Sequence, residues 1–336
     1  MKRTEVVVLG LGIIGLLTVR RLQELGHSPV VVASANPRSS TSAAAGGIML
    51  QTFPFSPDSA EYGRRLTWMK KSLEFFRSYK GGRYIGKLNH VELFRDGVVE
   101  GQVPMEWLLG GPDGVAPAVV NLGAPVRGFQ QYTRFEVPYF NTLELLESLY
   151  LDCLAGGATV EYRRLGAGAV EDLPADVIFN CLGFGAQEVF GDYELIPVFG
   201  QAIRYPPLRL EFGLGMGDFF ALSSSYALYV GSPFVFGESR IGPKLEHYER
   251  LQEFAVYGIA ELSREVGIDL RGEVPGEALE TVSGIRPFRP SGACVEREEV
   301  GGRVVVHNYG HGAHGWAAGW GAVLDAVGLW SDGADD

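Results

Sequence analysis

The apolar pattern at the start of the chain predicts a βαβ unit. Val6–Leu9 is a continuous apolar run, as expected of a parallel strand that is buried on both faces. Residues 13–25 then follow helical spacing, with one apolar side and one charged side, and Gly26 ends the helix. A second apolar run at residues 29–33 predicts the next strand, so the unit has the ordinary length of about thirty residues.

Later segments predict further strands and helices. Helical spacing recurs at residues 143–155, 246–266 and 315–330; a strand is predicted at residues 158–162 and a buried strand at residues 176–181. Residues 195–240 alternate apolar and polar positions between glycines and prolines, which is typical of antiparallel strands. We therefore predict an α/β fold in which a dinucleotide-binding, Rossmann-like domain (residues 1–52, 140–195 and 280–336) is interleaved with a mixed or antiparallel-sheet domain (residues 53–139 and 196–279) that binds the substrate.

Composition excludes several classes of function. A chain of 336 residues with 46% hydrophobic content is long enough for two packed domains. The net charge of −11 argues against binding to nucleic acid or to an anionic membrane, because both need a basic surface. The three cysteines, Cys153, Cys181 and Cys294, lie far apart without metal-ligand spacing, so we expect free thiols and a cytoplasmic location.

The first turn of the chain carries a dinucleotide-binding motif. Gly10, Gly12 and Gly15 fit the pattern G-x-G-x-x-G, which needs a tight turn, close approach to a pyrophosphate and close helix–strand packing, in that order. The motif follows a predicted strand and opens a predicted helix, which favours cofactor binding over an ordinary turn. The second strand lacks the usual acidic residue at its end; Ser34 or Asn36 would have to replace it with a weaker bond.

Three other segments have candidate chemistry. Residues 39–49 are rich in hydroxyls and small residues, which suits either a flexible linker or a chain that passes a phosphate and then a flat ring. Residues 284–290 hold two arginines between prolines, and a planar guanidinium suits bidentate binding of a carboxylate. His307, His311 and His314 could suggest a metal site, but the glycines between them disfavour a regular helix, so we expect none.

Together these segments resemble D-amino-acid oxidases over roughly residues 4–330. Five motifs occur in the order found in that family: residues 10–15, residues 41–47, residues 176–183, residues 284–290 and, most distinctive, the sequence His-Asn-Tyr-Gly-His-Gly at residues 307–312. The resemblance implies that FAD lies extended in the dinucleotide-binding domain. It also implies that a carboxylate-bearing amine sits over the flavin in a pocket shared with the second domain.

The resemblance implies a role for each matching residue at the cofactor. The cofactor-binding set is Gly10, Gly12, Ile13, Ile14, Gly15, Ser34, Ser40, Thr41, Ser42, Gly46, Gly47, Ile48, Gly183, Gly312, Ala313, Gly315 and Trp316. The first glycines would hold the pyrophosphate, with Ser40 and Thr41 nearby. Gly46 and Gly47 would approach the flavin ring through their backbone groups. Gly183 would line the adenosine side, and the residues after 311 would reach the pyrimidine edge of the flavin.

The resemblance also implies substrate-binding residues. Arg286 matches the arginine that binds the substrate carboxylate, whereas Arg289 is expected to pair with an acidic residue of its own domain. Tyr226 and Tyr229 lie near the place of the tyrosines that cover the substrate, on opposite faces of a strand, and we favour Tyr226 as the one that faces the flavin. His314 stands where an aromatic residue is expected and would reshape the mouth of the pocket.

The implied function is FAD-dependent oxidation of a carboxylate-bearing amine, a D-amino acid in the first place. The products would be an imine and then a keto acid, ammonia and hydrogen peroxide, with oxygen as the acceptor. Departures from the family at Ser34, His314, residues 183–186 and residues 205–232 leave other substrates open: a glycine derivative, a secondary amine or a biosynthetic intermediate. A nicotinamide-dependent dehydrogenase, a flavin-binding protein without turnover and a homodimer also stay open.

Overall fold

A computed structural model describes residues 5–50, 59–94, 119–217, 219–270 and 272–331. The chain forms two sheets, one with six strands and one with eight. Parts of the predicted substrate-binding domain, residues 53–58 and 95–118, lie outside the described residues. Within the described part of the chain, no helix has the length and apolar character needed to cross a membrane.

The six-stranded sheet carries the predicted βαβ unit. Its strands are β1 (Val6–Leu9), β2 (Val30–Ala33), β6 (Thr159–Tyr162), β7 (Val177–Asn180), β13 (Cys294–Val300) and β14 (Arg303–Tyr309), in the spatial order β13-β14-β7-β1-β2-β6. β1 runs parallel to both β2 and β7, with Val8 opposite Val31 and Phe179. All four residues of β1 are buried, because helices cover the sheet and the strand is central in it.

Seven α-helices occur among the described residues. They are α1 (Ile13–Glu24), α2 (Ala60–Ser78), α3 (Thr142–Ala155), α4 (Ala186–Phe190), α5 (Leu245–Glu253), α6 (Ile259–Glu265) and α7 (Gly315–Ser331). α1, α2 and α7 pack together beside the six-stranded sheet, where Phe75 stacks on Trp320 with 4.0 Å between ring centroids. A π-helical turn at Phe254–Gly258 joins α5 to α6, so the helix predicted over residues 246–266 is present with one irregular turn.

The eight-stranded sheet is largely antiparallel. Its strands are β3 (Ile85–Phe94), β4 (Val119–Val126), β5 (Phe129–Phe140), β8 (Ile196–Tyr205), β9 (Phe212–Met216), β10 (Phe219–Ser223), β11 (Leu228–Phe236) and β12 (Glu280–Phe288), in the order β12-β8-β11-β10-β9-β3-β5-β4. Only the pair β3–β9 is parallel among the described pairings of this sheet. One face packs on a core that includes Phe254 and Leu262 of the neighbouring helical segment.

The fold class agrees with the sequence prediction, while the domain ranges stay a prediction. The structure departs from those ranges at two segments. α2 was assigned to the substrate-binding domain, yet it packs against α7, and Trp68 Nε1 donates to Asp325 Oδ2 at 2.6 Å. β12 was assigned to the dinucleotide-binding domain, yet it pairs with β8 in the eight-stranded sheet. Both departures depend on partners that are distant in sequence, which local spacing cannot reveal.

Candidate active site

A cavity of about 860 Å³ is lined by residues of both sheets. It contains nearly all of the residues that the sequence predicts for the site. The cavity-lining members are Gly10, Gly12, Ile13, Ile14, Ser34, Ser40, Thr41, Ser42, Gly46, Gly47, Ile48, Gly183, Tyr229, Arg286, Gly312, Ala313, Gly315 and Trp316. Three predicted residues do not line it: Gly15, Tyr226 and His314.

The glycine turn has the geometry that its spacing requires. Gly10 has φ +102°, and a Cβ there would lie 2.5 Å from the carbonyl oxygen of Cys181. A Cβ on Gly15 would lie 2.9 Å from the carbonyl carbon of Gly10, so α1 packs on the turn only because residue 15 has no side chain. Gly12 is the amino-terminal cap of α1 and lines the cavity, so the amino-terminal end of α1 faces the cavity and favours an anionic ligand.

The loop at residues 40–48 is held in place by several contacts, which excludes the flexible-linker interpretation. The Ser42 hydroxyl accepts a hydrogen bond from the Ile13 amide at 3.0 Å, at the start of α1. The Thr41 hydroxyl donates to the Ile285 carbonyl at 3.1 Å and accepts from the Ile285 amide at 3.2 Å. Gly47 has φ +79°, a conformation that L side chains rarely adopt, and its carbonyl accepts from Phe140.

The carboxyl-terminal motif supplies backbone to the cavity and side chains to the core. The Gly312 amide donates to the Pro287 carbonyl at 2.8 Å, and Trp316 Nε1 donates to the Ser42 carbonyl at 3.0 Å. His314 was expected at the mouth of the pocket, but it is 1% exposed and lies behind the lining residues. That expectation is wrong because the turn after Gly312 directs residue 314 into the core.

Two histidines of this motif, His311 and His314, are buried and neutral. Burial lowers the pKa of His311 to about 3, with a smaller contribution from the nearby positive charge of Arg65. His311 Nε2 donates to the amide oxygen of Asn308 at 2.8 Å. Burial is also the main cause that lowers the pKa of His314 well below its usual range. No group of three or more His, Cys, Asp or Glu side chains able to hold a metal occurs among the described residues.

The two arginines of residues 284–290 have different environments. Arg289 forms ion pairs with Asp192 at 3.1 Å and Glu194 at 2.9 Å, so its expected structural role is confirmed. The Arg286 guanidinium lies in the cavity, 4.2 Å from the centre of the Phe234 ring. Burial lowers the pKa of Arg286, and the neighbouring Tyr229 partly opposes that effect. A desolvated guanidinium gains more than an exposed one from a carboxylate ligand.

Tyr229, rather than Tyr226, is the tyrosine at the cavity. Its hydroxyl donates to the carbonyl of Ala44, and burial raises its pKa to about 12. The hydroxyl of Tyr226 instead donates to the Arg83 carbonyl at 3.2 Å, away from the cavity. The prediction that Tyr226 faces the cavity is wrong because β11 begins only at Leu228, so residue 226 lies in the preceding turn.

The end of the cavity near Ser34 has an unexpected composition. Arg163, Arg164 and Glu188 line it as well, and none of them was predicted as a site residue. Arg163 follows β6, and its amide donates to the Ala33 carbonyl at the end of β2. Glu188 in α4 is thus the acidic residue that the structure brings to this end, where the sequence of β2 offers none.

Two more unpredicted residues, His90 and Glu92 of β3, line the cavity from the eight-stranded sheet. Their spacing of two residues places both side chains on the same face of the strand. The alternation of polar and apolar residues over His90–Leu93 could have shown this. The alternation could not have shown that this face of β3 borders the cavity, because β3 is placed there by its pairing with β9.

The lining fits an extended dinucleotide that ends in a flat ring. The end near Ser34 adjoins the carboxyl end of β2, the glycine turn and the start of α1 lie next to it, and Gly46 and Gly47 face the second sheet. A Cβ on Gly46 would lie 2.8 Å from the Phe220 ring, so only glycine keeps the backbone at that position close to the cavity. These features match a pyrophosphate at a helix terminus and a ring against exposed backbone.

Comparisons with known proteins agree with this geometry. The family model described as DAO, FAD dependent oxidoreductase, matches residues 5–324. A D-amino-acid oxidase of Rubrobacter xylanophilus is 31% identical over 329 residues, which cover 96% of this chain and 94% of that protein.

Solved structures show the same fold at lower identity. Glycine oxidase from Geobacillus kaustophilus has a TM-score of 0.73 at 16% identity, covering 99% of this chain and 95% of that one. Iminodiacetate oxidase from Chelativorans sp. BNC1 has a TM-score of 0.72 at 18% identity, covering 98% and 95%. The predicted relationship and the predicted cofactor are confirmed: the chain belongs to the DAO family of FAD-dependent oxidoreductases, and its cofactor is FAD.

Proposed function

We propose that the protein oxidises a carboxylate-bearing amine, with a D-amino acid as substrate and oxygen as electron acceptor. The imine formed first would hydrolyse to a keto acid and ammonia, and oxygen would be reduced to hydrogen peroxide. The name of the Rubrobacter xylanophilus relative supports the substrate class. The buried free thiols of the three cysteines support a reducing, cytoplasmic setting.

The observation that carries the proposal is the position of Arg286. Its guanidinium is desolvated and lines the same cavity as the glycine turn and the loop at residues 40–48. Thr41 of that loop is hydrogen-bonded to Ile285, the residue before Arg286, so the cofactor loop and the arginine are held in one arrangement. A carboxylate bound by Arg286 would therefore have a fixed position relative to the cofactor.

The chain's own residues position the substrate. Bound FAD supplies the acceptor for the two electrons, so the protein needs to provide orientation and charge. Arg286 would hold the carboxylate through charge-assisted hydrogen bonds, which the planar guanidinium can form in pairs. Tyr229 keeps its proton at neutral pH because burial raises its pKa to about 12. Tyr229 would thus act as a hydrogen-bonding wall residue and not as a base.

A substrate panel tests the proposal. The purified holoenzyme is mixed in air with D-amino acids, L-amino acids, glycine and N-alkyl glycines, and oxygen uptake and hydrogen peroxide are measured. We expect peroxide with at least one D-amino acid. Turnover only with glycine or an N-alkyl glycine would show that the reaction is as proposed but that the substrate is a glycine derivative and not a D-amino acid. The absence of turnover with every compound would indicate a flavin-binding protein without oxidase activity and would reject the proposal.

A further inference from the structure

The cavity also contains the carboxylate of Glu92. It lies on the same face of the eight-stranded sheet as Arg286 but several strands away from it. Glu92 lies on β3 and points across the neighbouring strand β9: a Cβ on Gly215 would lie 2.6 Å from the Glu92 carboxyl carbon. The Arg286 guanidinium lies in the same way over Gly200 of β8, where a Cβ would be 2.6 Å from its central carbon. Both charged groups therefore lie over glycines that leave room for them.

Glu92 is held by a buried histidine. His90 is 1% exposed, and its Nε2 lies 2.8 Å from a Glu92 carboxylate oxygen. An ionised carboxylate only accepts hydrogen bonds, so Nε2 is the donor. The other ring nitrogen, Nδ1, has no hydrogen-bond partner among the described residues, although His90 lines the cavity. Among the described residues, His90 is also the only ionisable side chain within salt-bridge distance of Glu92.

Aromatic rings line the path between the two charges. Directly opposed residues of neighbouring strands share a face of the sheet, and Gly215, Phe220 and Gly231 are opposed in this way. The Phe220 ring stacks on Tyr229, with 5.6 Å between ring centroids. An apolar chain or a flat cation that extends from Arg286 would therefore lie along aromatic rings, and both kinds of group bind well there.

The sheet geometry sets the length of that path. β8 and β9 are separated by β11 and β10, so Gly200 and Gly215 are three strand spacings apart, or about 14 Å across the sheet. They are also offset by two residues along the strands, which gives a separation on the order of 15 Å. Polar contacts of about 3 Å at each end leave roughly 9 Å for a ligand. That space suits an amino acid whose side chain has three or four carbons before its terminal group.

We propose that Glu92, oriented by His90, selects a substrate with a second, cationic group at the end of its side chain: a basic amino acid with a terminal guanidinium or ammonium. The inference rests on the proposed oxidation of a carboxylate-bearing amine. A cationic group would neutralise the carboxylate and could also reach the aromatic wall. A neutral side chain of the same length would displace water from Glu92 without offering a charge in return.

Isosteric substrate pairs test this specificity. Apparent kcat/KM is measured with the holoenzyme for arginine against citrulline and for lysine against 2-aminoheptanoate, in both enantiomers. We expect the cationic member to be favoured by about 10- to 100-fold, the effect of a hydrogen bond to a charged group. Glu92→Gln, which keeps the shape and removes the charge, should bring the ratio close to one. Glu136→Gln is the control, because Glu136 is an exposed carboxylate of β5 that pairs with Lys87.

A binding measurement decides the question if Glu92→Gln does not fold. The wild-type holoenzyme is titrated with 5-guanidinopentanoate and 5-ureidopentanoate, which lack the reacting amine, and Kd is read from the flavin absorbance. Tighter binding of the guanidino compound supports the inference, and equal binding overturns it. Oxidation of neutral amino acids without a preference for the cationic members would reject the role of Glu92 and leave the proposed function intact. Failure of every amino acid to react would instead reject the proposed function.

Discussion

Adding a methyl group beneath Arg286 tests its position without changing its charge. In Gly200→Ala the new Cβ would lie 2.5 Å from Nη2 and 2.6 Å from the central carbon of the guanidinium. Favourable contacts between heavy atoms need about 3.5 Å, so the guanidinium has to move by about 1 Å. The end of a flexible side chain can do so, and φ at Gly200 is not in the left-handed region, so the fold should tolerate the substitution.

We expect Gly200→Ala to weaken substrate binding. A misplacement of about 1 Å in a positioning group can reduce the rate by about 100-fold, so we expect kcat/KM for the best substrate to fall by about 10- to 100-fold. Steady-state kinetics with that substrate, and the melting temperature, are compared with those of Gly63→Ala. Gly63 lies in α2, where a Cβ would meet open space, so this control should keep its KM.

The reasoning would be refuted if Gly200→Ala kept the wild-type KM while it folded with a full complement of flavin. Arg286 would then tolerate displacement, and its guanidinium could not be the anchor of the substrate carboxylate. A fall in kcat/KM in both Gly200→Ala and Gly63→Ala would also count against the account, because the second substitution does not approach the cavity.

Three further predictions concern the frame of the site. Gly15→Ala places a Cβ against the Gly10 carbonyl, so it should lower stability by about 1–3 kcal/mol, measured by melting, and lower the flavin content, measured by absorbance. Full flavin occupancy would contradict this prediction. Arg289→Ala should lower the free energy of unfolding by about 2 kcal/mol in urea titrations and leave KM unchanged, whereas a large KM increase would give Arg289 a substrate role. Burial lowers the pKa of His311 to about 3 in the folded state, so stability should fall by about 1.4 kcal/mol per pH unit as pH drops from about 6.5 towards 3. The lowered pKa of His314 acts in the same direction, and a flat stability profile would show that these histidines do not stay neutral in the fold.

Features fixed by local sterics were predictable from the sequence. The glycine turn is the clearest case, because the positive φ of Gly10 and the close approach of Gly15 to the Gly10 carbonyl arise within one βαβ unit and show in the spacing of the glycines. The different environments of Arg286 and Arg289 also agree with the sequence, since Arg286 lines the cavity and Arg289 forms ion pairs, while the substrate-binding role of Arg286 stays a prediction. The family resemblance singled out the first, and a partner in its own domain was the ordinary expectation for the second.

Features that depend on distant pairing were not predictable in the same way. Tyr226 and Tyr229 differ only because β11 begins at Leu228, a boundary set by pairing with neighbouring strands. His90 and Glu92 stand in a visible alternating pattern, but β3 faces the cavity through its register with β9, more than 100 residues away in the sequence. Sequence spacing gives the face of a strand, and tertiary pairing decides what that face borders.

The most direct test of the account is flavin reduction without oxygen. The holoenzyme is mixed anaerobically with the best amino acid of the panel and, separately, with its α-amide, which keeps the amine and loses the negative charge. If Arg286 anchors a carboxylate, the amino acid should bleach the visible flavin band, and the amide should do so at least about 100-fold more slowly at the same concentration. Equal bleaching by both compounds would contradict a carboxylate-anchored amine oxidase.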